Sequence, residues 1–294
     1  MVLGLMRQFE EGEPATTDTD GCPNSPILVV RKLTKAYGTG PRSTRVLADV
    51  TFDVKASELV CVVGPSGVGK TTLLRCLAGL VRPSTGQIFL AGKPVEKPPP
   101  NLALVFQDYS RSLMPWMTVE RNVGLPLLAG CTRTERKLRV QDALDVVGLA
   151  DRQSAYPWEL SGGMQQRVAI ARGLAYRPDV LLMDEPFAAV DAQTRTELED
   201  LMVLIQREFG LTVVFVTHDI DEAVYLGNRV VVMSGAPSRV SEIVAVDLPA
   251  QRDQVATKAL PRFAELRGHL FNLIREAKTI SAEPSSNRAH DDLS

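Results

Sequence analysis

The chain has 294 residues, of which 45% are hydrophobic and 23% charged, and a formal net charge of −2. This length accommodates about two domains or subdomains around a large core, and the apolar content excludes a disordered chain. The balanced charge supplies no basic field for nucleic acid, and no apolar run approaches the roughly 18 residues of a membrane-spanning helix.

Residues 1–14 lack the basic flank and apolar core of a secretion signal, so a soluble, cytoplasmic chain is expected. The four cysteines, Cys22, Cys61, Cys76 and Cys131, form no CxxC pair, which argues against a disulfide framework or a zinc site. Residues 1–25 are polar and aperiodic and read as a flexible leader. Strand-like segments follow at 27–33 and 46–54, separated by Gly38, Gly40 and Pro41, as in an antiparallel meander. Residues 59–63 form an unbroken apolar run, the pattern of a strand buried on both faces. A helix is expected from Lys70, with Leu73, Leu74, Leu77 and Val81 on one stripe and Pro83 beyond its end.

Residues 112–160 show helical patterns with little strand signal. The clearest takes Thr134 as N-cap, carries Leu138, Leu144 and Val147, and stops at Gly148. Strand and helix then alternate: strands at 180–183, 213–216 and 230–233 are separated by helices capped by Asp191 and Asp219. That alternation implies a parallel α/β sheet, interrupted by an all-helical insert. Residues 280–294 return to polar sequence and are expected to fray.

Three segments carry chemistry. Gly64-Pro65-Ser66-Gly67-Val68-Gly69-Lys70-Thr71-Thr72 contains the phosphate-loop pattern GxxxxGK[ST] between a buried strand and an amphipathic helix. Its glycines let backbone N–H groups converge on phosphate, Lys70 adds charge at the β- and γ-phosphates, and Thr71 offers a hydroxyl to Mg²⁺. Asp184 and Glu185 end a buried strand, which places two carboxylates at the carboxyl edge of a parallel sheet. Asp184 suits a hard cation, and Glu185 can orient or deprotonate an attacking water; a capped or solvated acidic turn is the plainer alternative. Ser161-Gly162-Gly163-Met164-Gln165 opens a further helix. Serine is a good N-cap, but two glycines in a first turn weaken a helix by about 1 kcal/mol each while leaving N–H groups bare for an anion.

The Ser161-Gly-Gly-Met-Gln165 segment resembles the signature motif of ATP-binding cassette (ABC) ATPases, and other marks of that family stand in order over residues 26–245. The resemblance implies a P-loop NTPase fold: a RecA-like parallel core, an antiparallel β subdomain and a helical insert over about 110–165. It also assigns roles. Tyr37 resembles the aromatic that stacks on adenine, and Gln107 the glutamine that touches Mg²⁺ and the attacking water. Asp191 lies in the dimer-contact loop, where alanine stands at 188 instead of the more usual serine. His218 resembles the switch histidine that contacts the γ-phosphate. The resemblance further implies that Ser161, Gly162, Gly163 and Gln165 act on ATP held by the opposite subunit. Two cassettes then close on ATP and Mg²⁺, bound to integral permease subunits that meet an extracytoplasmic solute-binding protein.

A finer resemblance, to importer ATPases for nitrate, sulfonates and taurine, lies in residues 106–123, 185–195 and the amphipathic segment around Phe263, Leu266, Leu270 and Ile274. The same pattern occurs in transporters for other small solutes such as vitamin precursors, and a soluble non-transport ABC ATPase is a further alternative. Pro115-Trp116 reads equally as a turn with a packed aromatic. Arg133, Arg136, Lys137 and Arg139 read as a solvated helix face, or as a contact for a permease loop or anionic lipid. Residues 246–279 form a C-terminal helical extension in this reading.

Overall fold

The computed structural model describes residues 26–38, 40, 43–108 and 112–282. The expected leader with Cys22, Pro41, residues 109–111 and the tail from 283 lie outside the described residues.

Alternating apolar residues build the first sheet. Strands β1 (Pro26–Tyr37) and β2 (Thr44–Lys55) pair antiparallel, and β4 (Thr85–Leu90) and the short β5 (Lys93–Pro94) complete the order β2-β1-β4-β5. Leu28, Val30 and Leu33 of β1 turn inward with Leu47, Val50, Phe52 and Val54 of β2, the in–out pattern of a sheet packed on one face. Register shifts interrupt the β1–β2 ladder, and Lys32 and Asp49 adopt positive φ there.

The second sheet has six strands in the order β10-β9-β3-β8-β7-β6. Strands β3 (Leu59–Val63), β6 (Leu102–Val105), β7 (Val180–Asp184), β8 (Thr212–Val216) and β9 (Arg229–Ser234) run parallel; β10 (Arg239–Ala245) is antiparallel at the edge. Every residue of β3, β7 and β8 is buried, which explains their continuous apolar runs. Successive side chains serve two cores. Val60 and Val62 join the layer shared with the antiparallel sheet, whereas Leu59, Cys61 and Val63 face the helical layer.

Helix α1 (Lys70–Leu77) follows β3. It ends earlier than expected: Gly79 has φ 68, so the chain turns away and Val81 packs from beyond the helix. The insert contains α2 (Val119–Gly124), α3 (Arg133–Val146) and three 3₁₀ turns, and leads into α4 (Gly162–Ala175). Fully buried Asn122 holds the segment before α2, accepting from Met114 N at 2.7 Å and donating to Met117 O at 3.0 Å. Two expectations for α3 need correction. Its N-cap is Thr132, whose hydroxyl accepts from Glu135 N, so the helix starts earlier than a cap at Thr134 allows. Leu138 is 52% exposed; Val140, Ala143, Leu144 and Val147 form the buried stripe instead.

Helices α5 (Ala192–Phe209) and α6 (Ile220–Leu226) lie between β7, β8 and β9, capped by Asp191 and Asp219 as expected. The closing helix α7 (Pro261–Ala282) buries Phe263, Leu266 and Leu270 against the helical-layer core, each contributing about 1.5–3 kcal/mol. No helix among the described residues is long and apolar enough to cross a membrane.

Candidate functional site

The site lies at the carboxyl ends of β3, β7 and β8, which are neighbours in the sheet although far apart in sequence. From β3 the chain passes through Gly64, Pro65, Ser66, Gly67 and Val68 to Gly69, the N-cap of α1. Gly69 has φ 97, and a Cβ there would meet Val46 Cγ1 at 2.9 Å, so glycine alone suits it. No side chain caps α1, and its first turn holds no acid. The amides of the first helical residues, Lys70, Thr71 and Thr72, are thereby left at the positive end of the helix for an anion.

Lys70 is 6% exposed and donates from Nζ to Gly64 O at 3.0 Å and Pro65 O at 3.4 Å, with Glu185 Oε1 at 3.6 Å. Thr71 Oγ1 donates to Asp184 Oδ1 at 3.3 Å. Burial pushes the Asp184 carboxyl above its ordinary value, and the Thr71 hydrogen bond opposes that shift. A desolvated carboxylate beside a hydroxyl gains from a hard cation, and this oxygen set fits Mg²⁺ that keeps waters and phosphate oxygens as further ligands. No cluster of three or more His, Cys, Asp or Glu side chains suited to a metal occurs among the described residues. Gln107, the third expected Mg²⁺ ligand, is exposed two residues beyond Val105 of β6, the strand beside β7.

Glu185 follows Asp184 with φ 42, a left-handed conformation that costs a non-glycine residue about 1–3 kcal/mol. Its amide donates to Val216 O at 2.9 Å, which anchors the turn to β8. Its carboxylate then lies between Lys70 and His218, with His218 Nδ1 3.0 Å from Glu185 Oε2. His218 is exposed and follows buried Thr217 at the end of β8. The structure thus brings together Lys70, Thr71, Asp184, Glu185 and His218.

The remaining expected residues lie elsewhere. Tyr37 is the last residue of β1. The residue is 42% exposed, with Lys35 Nζ 4.9 Å from the ring centroid. Ser161 caps α4, accepting from Met164 N at 3.3 Å, and Gln165 Nε2 donates to Pro157 O at 2.9 Å. Among the described residues no hydrogen bond or ion pair joins Ser161, Gly162, Gly163 or Gln165 to residues 64–72. Gly163 packs instead against α5: a Cβ on it would lie 2.3 Å from Thr194 Cγ2. Asp191 accepts from Thr194 N at 3.0 Å and Thr194 Oγ1 at 2.7 Å, bonds that hold its carboxyl below the ordinary value.

Asp219 Oδ1 caps α6 by accepting from Asp221 N and Glu222 N, while Glu222 Oε2 turns away from the cap and accepts the Thr217 hydroxyl at 2.5 Å. Arg195 joins the same cluster through Asp219 and Glu222. Its place in the first turn after Asp191 was a visible signal, but the partner carboxylates lie a strand and a turn away.

The chain is similar to known proteins along most of its length. The ABC transporter family model matches residues 47–188. The chain is 40% identical over 259 residues to the aliphatic sulfonates import ATP-binding protein SsuB of Bacillus licheniformis, covering 88% of this chain and 98% of that protein. It is 44% identical over 236 residues to the nitrate import ATP-binding protein NrtC of Synechococcus elongatus; the match covers 79% of this chain and 36% of NrtC. A dimeric structure of a post-hydrolysis state of the ATP-binding cassette MJ0796 bound to ADP and Pi superposes with a TM-score of 0.66 at 31% identity, covering 75% of this chain and 99% of that one. A cassette fold with its phosphate loop, its paired sheet-edge acids and relatives that align along most of this chain place it in the ABC transporter family of ATP-binding proteins.

Proposed function

We propose that this chain hydrolyses ATP as the engine subunit of an ABC importer. In this reading it drives uptake of a small anion of the nitrate, sulfonate or taurine kind through a separate permease fed by an extracytoplasmic binding protein. The observation that carries the enzymatic part is the placement of Glu185 between Lys70 and His218, beside the anion-ready start of α1. The names of the sulfonate and nitrate relatives support the solute class.

The backbone N–H groups of the loop after Pro65 and of the start of α1, with the Lys70 ammonium, bind and neutralise the phosphates, releasing Lys70 from its carbonyl partners. Thr71, Asp184 and Gln107 would hold Mg²⁺, which would supply charge neutralisation at the phosphate oxygens. Glu185 orients the attacking water and takes its proton, while His218 fixes the Glu185 carboxylate and reaches the γ-phosphate. Tyr37, exposed at the end of β1, stacks on adenine in this reading. Ser161, Gly162, Gly163 and Gln165 complete the site of a second cassette, and Asp191 meets that cassette at the interface.

We assign residues 26–245 to the ATPase domain, about 110–165 within it to the insert that contacts the permease, and 246–279 to a helical extension. The chain works at the cytoplasmic face of the membrane. Mg²⁺-dependent ATP turnover by the purified chain tests the enzymatic reading; absence of turnover overturns it. Uptake of labelled nitrate against labelled taurine, in vesicles holding the co-purified permease, tests the solute class; transport of neither overturns that part.

A further inference from the structure

Behind the loop that carries His218 lies a polar cluster that the steps above do not use. Arg195, in the first turn of α5, reaches Asp219 Oδ2 with Nη1 and Glu222 Oε1 with Nε, each at 3.5 Å. Glu222 is 5% exposed and accepts the Thr217 hydroxyl at 2.5 Å, and the same hydroxyl accepts the Asp219 amide at 2.9 Å. Both neighbours of His218 in the chain are therefore tied to one guanidinium–carboxylate group. The side chain of His218 itself contacts Glu185.

The same turn of α5 reaches the surfaces that meet a second cassette. Asp191 is its N-cap, Thr194 lies against Gly163 at the start of α4, and Glu197 pairs with Arg167 of α4 at 3.1 Å. Arg195 thus stands between the start of the signature helix and the histidine loop.

A plain reading of Arg195 is a fold-stabilising ion pair. Its geometry counts against it: both contacts are 3.5 Å long, Arg195 and Asp219 are each about a third exposed, and the buried Nε makes no hydrogen bond, so a partly solvated pair held this loosely contributes little to stability. What such a pair does well is fix position.

We propose that Arg195 is a positioning residue for His218: through Asp219 and Glu222 it sets the histidine loop according to the place of Asp191 and Gly163. The proposal rests on the reading of His218 as a residue that acts at the γ-phosphate. The pair needs ionised Glu222, whose carboxyl burial pushes up to about 7. The groups facing Glu222 are Thr217 and Asp219 beside it, Arg195 and Glu199 from α5, and the Cys61 thiol of β3. Lys258 and Gln254, from the segment before α7, hold Glu199, and Arg267 of α7 faces Asp221.

The test is steady-state ATPase of the full chain across neutral pH for Arg195→Met, Arg195→Lys, Glu222→Gln and His218→Ala. Arg195→Met is expected to lower kcat about 2- to 30-fold with KM little changed, and Arg195→Lys to recover most of the loss. Wild-type kcat is expected to fall as pH drops through about 7, and Glu222→Gln to flatten that limb. If His218→Ala loses turnover while Arg195→Met keeps wild-type kcat, the inference fails and the functional reading stands. If His218→Ala keeps full turnover, the reading of the histidine itself fails. Equal losses in the methionine and lysine variants with KM rising alongside would mark a structural role only and overturn the proposal. Should Arg195→Met not fold, the pH profile of Glu222→Gln decides: a limb unchanged from wild type overturns it.

Discussion

Glu185 and His218 come from the ends of adjacent parallel strands and meet at 3.0 Å, although 33 positions separate them in the chain. The contact depends on the left-handed turn at Glu185, whose amide is bonded to Val216 at the end of the histidine's own strand. Backbone strain is thus held where two strand ends lock it, and the carboxylate it aims is the group assigned to activate water.

Replacing Glu185 by glutamine keeps the shape and removes the base. Turnover is expected to fall by about 10² or more while ATP affinity is retained and ATP-dependent dimers accumulate. Steady-state ATPase with size-exclusion chromatography in Mg·ATP checks this; near-normal turnover would remove Glu185 from the base role.

Lys70→Ala removes the ammonium at the phosphate loop, and nucleotide titration is expected to show weakened ATP binding. Ser161→Arg blocks the helix start assigned to the opposite subunit's ATP. Mixtures of the two defective subunits are expected to regain activity, because one composite site per mixed dimer then combines an intact loop with an intact signature. Flat, inactive mixing curves would mean that Ser161 does not act across an interface.

The close approach of Gly163 to Thr194 leaves no room for a methyl group. Gly163→Ala is expected to destabilise the fold by about 1–3 kcal/mol through overpacking. Adding Thr194→Ser deletes Cγ2, the nearest atom, and should restore part of the loss. Chemical denaturation of the single and double variants reads both numbers, and equal stability of Gly163→Ala and wild type would contradict the packing.

Glu222 links stability to pH. Its carboxyl rises from 4.5 to about 7 in the fold, chiefly by desolvation, so the folded chain holds that proton more tightly than the unfolded chain. The resulting stabilisation is fully present below about pH 4.5 and is lost as pH rises through about 7. Across that window the loss is on the order of 3 kcal/mol. The gap in unfolding free energy between wild type and Glu222→Gln should therefore change over these pH values. Parallel curves would show that Glu222 titrates near its ordinary value.

Much of the site could be read along the chain because its parts are local. Gly64 to Thr72 is one loop and one helix start, Asp184 and Glu185 end one strand, and Ser161, Asp191 and Asp219 cap helices within three residues of their partners. Short-range competition produced the errors. Two threonines, Thr132 and Thr134, could each begin α3, and the Glu three residues after Thr132 favours the earlier one. Leu138 fits a helical stripe by spacing, yet the helix turns it to solvent because Val140 and Leu144 face the core.

By itself the sequence determined the element types, the phosphate loop and the residue types able to neutralise and hydrolyse a triphosphate. Those properties follow from hydrophobic period and from hydrogen bonds that close within a turn. Only the tertiary structure decided which carboxylate the histidine meets, which side chain packs on Gly163, and where Arg195 finds its partners. Each of those contacts depends on β8 lying between β3 and β7 and on α5 packing beside α4 and α6. That arrangement is set by burial of surfaces distant in the chain, which no local periodicity encodes.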